Sequence, residues 1–223
     1  MLIDDRQAMS AAYKAQIEKL GIPISAGRYR ELREYADENR IRISGFRNFV
    51  GDIETIKKIL DDIYEIGQDF PKILDERAGV VLELDYDMDD EDFATTDSGH
   101  IIRLNASYFS DVNKMSAEYE RLANEKHFVY GSDWRAIGRH EAGHVVANVY
   151  SIEPLDIAFG IKNTTRKVEL FEFLKRDLSL YSTAYEDGRE IISESFSCYY
   201  SKIDNLFVKE FVQACMDISG KDR

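Results

Sequence analysis

Cysteine and long apolar runs are scarce in this chain of 223 residues. Only Cys198 and Cys215 are present, which is too few for a disulfide framework, and we expect both to be buried free thiols. No run of about 18 apolar residues is available to cross a membrane. Asp4 and Asp5 stand where a signal peptide would carry basic residues. These absences together predict a cytoplasmic protein with no membrane partner.

Basic residues are also in the minority. The chain has 29 Lys and Arg against 42 Asp and Glu, which gives a formal net charge of -13. Affinity for nucleic acid rests on neutralising phosphates with Lys and Arg, and anionic membranes attract the same residues. The charge therefore excludes nonspecific binding to nucleic acid and disfavours a membrane surface.

The first part of the chain reads as helical. Capping residues and breakers predict three helices, which run from Asp4 to Leu20, from Ser25 to about Asn39, and from Asp52 to about Gly67. No residues in this stretch have catalytic spacing. We therefore predict a helical N-terminal region over residues 1–75, with an unassigned role.

From Gly79 onward the pattern changes to a mixture of strands and helices. Strands are predicted at Val80–Tyr86 and Ile101–Phe109, with an acidic loop between them. Helices are predicted at Asn113–Lys126, at Trp134–Tyr150 with Asp133 as its cap, at Arg166–Leu178, and as one or two helices over Arg189–Phe211. The expected fold class is α+β, with residues 76–223 forming the second domain.

What the chain does contain is the pentapeptide His140-Glu141-Ala142-Gly143-His144. On a helix, positions i and i+4 share a face, so the two imidazoles can bind one metal ion while Glu141 lies beside it. This HExxH arrangement is typical of zinc hydrolases. The sequence therefore predicts Zn²⁺ as cofactor, with His140 and His144 as ligands.

A catalytic zinc usually has three protein ligands and one open position. The metzincin pattern would place the third histidine at position 150, where this chain has Tyr150. A glutamate on a second helix is the other route, and Glu190 and Glu194 share one helical face. We assign Glu190 as the third ligand and Glu194 as the carboxylate that orients a liganding histidine through its far ring nitrogen.

The segment Glu190-Ile-Ile-Ser-Glu194 resembles the ExxSD element of thermolysin-type gluzincins. With Phe196 included, it is more similar to the ExFFAEAF element that follows HExGH in the anthrax lethal factor-like metallopeptidase domain. The long gap between His144 and Glu190 also suits that group, which includes bacterial toxin domains and domains of phage head-morphogenesis or minor capsid proteins. The resemblance covers residues 79–205 and implies a zincin-like core, in which a small sheet accompanies an active-site helix and a glutamate helix.

The same resemblance implies a helper tyrosine. Tyr181 keeps the Ser-x-Tyr order but lies two residues too far from Glu190, whereas Tyr185 lies two residues too close. Both stay candidates. Either hydroxyl would share with the metal the negative charge that develops on the scissile carbonyl oxygen.

The expected function is zinc-dependent hydrolysis of peptide bonds, in which Glu141 activates a zinc-bound water. The substrate would be a protein or peptide, and residues 101–107 would be either an exposed sheet edge that binds it or an ordinary covered strand. Two alternatives are a phage-derived structural or assembly protein with little turnover, which would have capsid or portal proteins as partners, and a toxin effector protease. These alternatives imply virion association or export without a signal peptide.

Overall fold

The structure is a computed structural model that describes residues 11–89, 91–97 and 99–221. In these residues there are ten α-helices: α1 Ala11–Leu20, α2 Ala26–Glu38, α3 Ile53–Asp69, α4 Ala106–Phe109, α5 Val112–Asn124, α6 Ala136–Tyr150, α7 Pro154–Lys162, α8 Lys167–Asp177, α9 Arg189–Tyr200 and α10 Leu206–Lys221. There are four strands: β1 Arg42–Ser44, β2 Val81–Asp85, β3 Ala94–Asp97 and β4 Ile101–Asn105. The fold class is α+β, as predicted.

The four strands form one mixed sheet in the order β1-β2-β4-β3. β2 pairs in parallel with both β1 and β4, whereas β3 is antiparallel to β4. The prediction that residues 101–107 could form the exposed edge is therefore wrong, because β4 lies inside the sheet and β3 covers it. Within the described residues, β3 and β1 are the outer strands.

Three details of the strand predictions need correction. β1 interrupts the region predicted to be wholly helical, and its three residues are too few to show a period. β3 lies in the predicted acidic loop, because its sequence, Ala-Thr-Thr-Asp, has no apolar alternation that would predict a strand. The strand predicted to continue to Phe109 ends at Asn105, whose side-chain oxygen accepts a hydrogen bond from the Ser107 backbone N–H and so starts α4.

Most helix predictions are confirmed within a few residues. Ser25 and Asp52 cap α2 and α3 as expected, by accepting hydrogen bonds from the backbone N–H groups of Arg28 and Glu54. The predicted 189–211 segment is two helices, α9 and α10. The predicted start of the first helix, residues 4–10, lies outside the described residues. The helix α7 was not predicted.

The predicted cap of the motif helix is displaced. Asp133 accepts a hydrogen bond from the backbone N–H of Arg135, in a turn that precedes the helix. α6 itself begins at Ala136, and the side chain of its N-cap residue, Arg135, makes no capping hydrogen bond to the helix. The helix therefore starts two residues later than the prediction of Trp134.

The hydrophobic core is continuous across the predicted boundary between residues 75 and 76. Phe70, just beyond α3, has its ring centroid 5.9 Å from that of Tyr150 on α6 and 5.3 Å from that of Phe196 on α9. Both cysteines are free and buried, and burial raises the pKa of each thiol to about 12. None of the helices in the described residues has the length and apolar character needed to cross a membrane.

A buried ion-pair cluster also joins the N-terminal helices to α6. The fully buried carboxylate of Asp62 on α3 accepts hydrogen bonds from both Arg135 and Arg139, at N–O distances of 2.7 to 3.2 Å. Arg139 is itself almost wholly buried and donates a further hydrogen bond to the Ser201 hydroxyl. Because Arg139 directly precedes His140, this cluster fixes α3 against the first turn of the motif helix.

Candidate metal centre

Two helices that pack directly against each other bring the candidate ligands together. α6 carries His140 and His144 on one face, and α9 carries Glu190 in its first turn. Gly143 allows the close approach, because a Cβ at this position would lie 2.9 Å from the Ser193 Cα. Gly188 caps α9 with φ 73°, a left-handed conformation that suits glycine and turns the chain into the helix.

The side chains of His140, His144 and Glu190 converge on one point. Nε2 of His140 lies 3.1 Å from Oε2 of Glu190, and Nε2 of His144 lies 3.3 Å from the same oxygen. One potential ligand atom from each residue lies within 4.8 Å of the other two. Although the distances are short, Oε2 of Glu190 is buried and has no partner with hydrogen-bond geometry.

This donor set fits a zinc ion. Two imidazole nitrogens and one carboxylate oxygen are a ligand combination that catalytic zinc takes in proteins. A buried carboxylate oxygen without a hydrogen-bond partner destabilises the folded protein. A cation held between this oxygen and the two ring nitrogens would offset that penalty. His140, His144 and Glu190 would be the ligands, in agreement with the residues predicted from the sequence.

Glu194 lies one helical turn beyond Glu190 and contacts the His140 ring on the side opposite to Glu190. Its Oε1 is 2.9 Å from Nδ1 of His140, the ring nitrogen that faces away from Glu190. This is the contact expected of a carboxylate that fixes the orientation of a liganding histidine, with Nε2 left for the metal. Its second oxygen, Oε2, is buried without a hydrogen-bond partner.

The protonation state of each residue in the cluster depends on the charges of its neighbours. Burial lowers the pKa of His140, but the adjacent carboxylates of Glu190 and Glu194 outweigh burial and raise that pKa well above its usual value. Burial raises the pKa of Glu190, but the two adjacent imidazoles outweigh burial and lower that pKa to about 2. Glu190 is therefore ionised at neutral pH, as a metal ligand must be.

Glu141 lies beside the ligands and is held by a residue that the sequence analysis did not find. Its carboxylate oxygen Oε2 accepts a hydrogen bond of 2.7 Å from the Thr96 hydroxyl, which also lies 3.1 Å from the Glu141 backbone oxygen. Thr96 belongs to β3, so the outer strand of the sheet is tied to the motif helix. No sequence pattern pointed to Thr96, because it lies 45 residues before Glu141 in a segment predicted to be a loop.

The two candidate tyrosines occupy different environments. Tyr181 is half-buried, and its ring centroid lies 5.7 Å from that of His140. Burial, followed by the charge of Glu190, raises the pKa of Tyr181, so its hydroxyl keeps its proton and can donate a hydrogen bond. Tyr185 is 46% exposed, and its ring lies under the guanidinium of Arg189. The geometry favours Tyr181.

A cleft of about 700 Å³ passes over the cluster. It is lined on one side by β3 residues and on the other by α6 and the start of α9, with the two histidines, Glu141 and Glu190 between them. Tyr181 and Tyr185 both border it. The site is therefore accessible from solvent, and the outer strand of the sheet forms one wall.

Comparison of the chain with protein-family models, with curated proteins and with solved structures finds no match in any of the three. The structure brings together the five residues predicted around the metal, His140, Glu141, His144, Glu190 and Glu194, and places Tyr181 next to them. The catalytic and metal-binding roles expected of these residues stay predictions, which rest on this geometry and on the chemistry of the side chains.

Proposed function

We propose that this protein is a zinc-dependent metallopeptidase of gluzincin type. The observation that carries the proposal is the convergence of His140, His144 and Glu190, which are separated by up to 50 positions in the chain, on one solvent-accessible point. A mixed sheet, the motif helix α6 and the glutamate helix α9 are the parts of a zincin-like core, and their packing supports that interpretation of the fold.

The residues around the cluster supply the other elements of peptide hydrolysis. When bound, zinc would act as a Lewis acid that makes water more acidic and polarises the scissile carbonyl. Glu141 would accept the proton of the attacking water and deliver it to the leaving amine. Thr96 would hold the Glu141 carboxylate in place, and Tyr181 would donate a hydrogen bond to the oxygen that gains negative charge.

The position of β3 supports an extended peptide as the substrate. Ala94, Thr95 and Thr96 line the cleft that contains the histidines, and β3 is one of the two outer strands of the sheet. A peptide could pair with this strand through backbone hydrogen bonds and so lie across Glu141. From the sequence, residues 101–107 were one candidate for this role, with an ordinary covered strand as the alternative.

Metal analysis combined with cleavage profiling tests the proposal. The purified protein should bind about one zinc per chain, and His140→Ala or Glu190→Ala should abolish binding because each removes a ligand. His100→Gln, outside the cluster, is the matched control and should keep the metal. Glu141→Gln should retain zinc but lose peptide cleavage, measured by mass spectrometry of a proteome-derived peptide mixture.

Each outcome separates the alternatives. A protein that rejects added zinc, or a Glu141→Gln variant as active as wild type, would contradict the proposal. Zinc binding without cleavage of any peptide, together with co-purification of capsid or portal proteins, would fit the structural or assembly alternative. Toxicity on expression that depends on Glu141 would identify the toxin alternative.

A further inference from the structure

A second cavity opens beside the candidate metal centre and is used by none of the roles assigned so far. It has a volume of about 390 Å³ and reaches from His140, Glu141 and Tyr181 into the space between α5, the start of α6 and α9. We call it the aromatic cavity, after the five Phe and Tyr rings that line it, which are Phe93, Tyr108, Tyr119, Phe128 and Tyr181. Its position next to the reacting groups makes it a binding place for a side chain adjacent to the scissile bond.

The rings form a continuous path that leads away from the metal centre. The ring centroid of Tyr181 lies 5.7 Å from His140 and 5.5 Å from Phe128. Phe128 lies 6.3 Å from Phe93, and Phe93 lies 4.5 Å from Tyr108. A side chain that enters at His140 would therefore run along aromatic surfaces, which suit a long apolar stem.

Acidic side chains outnumber Lys and Arg on the cavity wall, which also includes the imidazoles of His127 and His140. The five acidic residues that line it are Glu91, Asp92, Glu118, Glu141 and Glu194. None of its lining residues in the described part of the chain is Lys or Arg. Arg121 neutralises Glu118 through a pair of hydrogen bonds. The exposed Glu91 and Asp92, which directly precede Phe93, make no ion pair within the described residues, so they leave a negative rim.

Glu194 gives independent support for a ligand that carries hydrogen-bond donors. This side chain is 1% exposed, it lines the aromatic cavity, and its Oε2 has no hydrogen-bond partner. A purely apolar occupant would displace water and leave this carboxylate oxygen unpaired, which is unfavourable in a buried site. An ammonium or guanidinium group would supply the missing donor and the opposite charge.

Aromatic walls reinforce the preference for a cation. The faces of Tyr and Phe rings attract ammonium and guanidinium groups, and the attraction grows when water is excluded. Tyr108 already shows this behaviour, because Nζ of Lys114 lies 5.6 Å from its ring centroid. A long stem with a positive end thus matches both the rings and the acids, whereas a phenyl side chain matches only the rings.

We propose that the aromatic cavity binds a lysine or arginine side chain of the peptide substrate, next to the scissile bond. This inference rests on the proposed peptidase function for its role in catalysis. The chemistry of the cavity itself can be tested without turnover, because the walls and acids belong to the protein alone.

The binding test uses the full-length zinc-free protein and small probes. n-Butylguanidinium and n-butylammonium should shift the NMR signals of cavity residues at concentrations at least about tenfold lower than n-pentanol, their neutral counterpart. The double variant Glu91→Gln and Asp92→Asn should reduce this preference several-fold, and Glu194→Gln should reduce it further. Glu210→Gln, which changes an exposed acid on α10 that does not line the cavity, is the charge-matched control for Glu194→Gln and should behave as wild type.

The turnover test uses peptides that differ at one residue. In the best substrate from cleavage profiling, Lys or Arg at the position that enters the cavity should give kcat/KM at least about tenfold higher than norleucine or acetyl-lysine. The rim double variant should shrink this ratio. Since the rim acids are exposed, that variant keeps the test valid even if Glu194→Gln does not fold.

The possible failures are distinguishable. Equal binding of pentanol and the cations, or equal cleavage of norleucine and lysine peptides, would overturn the proposal in favour of a purely apolar pocket. A cation preference that survives both the rim double variant and Glu194→Gln would also overturn it. Cation binding without cleavage of any peptide would contradict the peptidase function and support the cavity's chemistry.

Discussion

Thr96 joins the sheet to Glu141 in the candidate site. Its hydroxyl donates to the carboxylate that would move the proton during hydrolysis, and its backbone belongs to the strand that would bind the substrate. Thr96 touches no metal ligand of the cluster in the hydrogen bonds described. It is therefore a positioning residue, whose effect should be confined to Glu141.

We predict that Thr96→Val lowers kcat by about tenfold or more while zinc content and KM stay close to wild type. A hydrogen bond to a charged group contributes roughly 1.5–3 kcal/mol, and a factor of ten corresponds to about 1.4 kcal/mol. Steady-state kinetics and metal analysis measure the three quantities. Thr96→Ser, which restores the hydroxyl, should recover most of the rate. A parallel loss of zinc in the valine variant would instead indicate a structural role.

At the scale of single residues, the spacing within one helix predicted which side chains share a face. Contacts between segments that are distant in the sequence could not be predicted in this way. His140, Glu141 and His144 followed from a pattern of five residues, and the same reasoning placed Glu190 and Glu194 on one face of a helix. The sequence could not rank Tyr181 above Tyr185 by geometry, because their distances from His140 depend on the turn before α9. Thr96 was missed because nothing local marks a threonine that bonds across 45 positions.

At the scale of secondary structure, the packing of α6 against α9 sets the geometry of the cluster. Gly143 lies at their closest approach, where a Cβ would meet the Ser193 Cα at 2.9 Å and its backbone nitrogen at 3.3 Å. These are backbone atoms, which cannot move aside as a flexible side chain can. A larger residue must therefore separate the helices, and Glu190 would move away from the histidines with α9.

We predict that Gly143→Ala destabilises the protein by roughly 1–3 kcal/mol, the usual cost of overpacking, despite the better helix propensity of alanine. Zinc affinity should fall as well, because the ligands come from both helices. Gly160→Ala is the control, since no atom within 4 Å would meet its Cβ and the change should be neutral or slightly stabilising. Thermal unfolding and zinc titration of both variants measure these effects. Unchanged zinc affinity in Gly143→Ala would contradict the proposed dependence on helix spacing.

Long helices with clear caps were predictable, and short strands were not. The apolar spacing of α3 and the caps Ser25 and Asp52 fixed two helices almost to the residue. β1 and β3 have three and four residues, too few for a period of two to stand out, and their pairing with β2 and β4 supplies the order that their sequences lack. Because β3 is too short to be recognised in the sequence, the position of β4 inside the sheet could not be predicted either.

Across the whole molecule, the N-terminal helices take part in holding the motif helix. Asp62 on α3 joins Arg135 and Arg139 in a buried cluster, and Arg139 precedes His140 directly. The predicted division into two domains at residues 75 and 76 rests on a change from helical to mixed sequence patterns. Such a change carries no information about how the two regions pack. Contacts such as this one make the N-terminal region a support for the candidate site.

We predict that Asp62→Asn destabilises the protein by about 3–5 kcal/mol, because it leaves the buried Arg139 guanidinium without its counter-charge. Asp61→Asn is the matched control. Asp61 is the neighbouring exposed residue, its side chain accepts a hydrogen bond from the Tyr35 hydroxyl, and its loss should cost about 1 kcal/mol or less. Chemical denaturation followed by circular dichroism gives both values. If the two variants proved equally stable, the cluster would have no structural importance.

The outer strand of the sheet has a consequence for the kind of ligand that the protein can hold. β3 has four residues, and on an edge strand only alternate residues direct their backbone N–H and C=O groups outward. If β3 binds a peptide as proposed, so short a ladder would hold only a few consecutive residues, and lengthening the peptide beyond them would add little affinity. Recognition would then come from individual side chains, which would favour short segments in the tails or surface loops of other proteins.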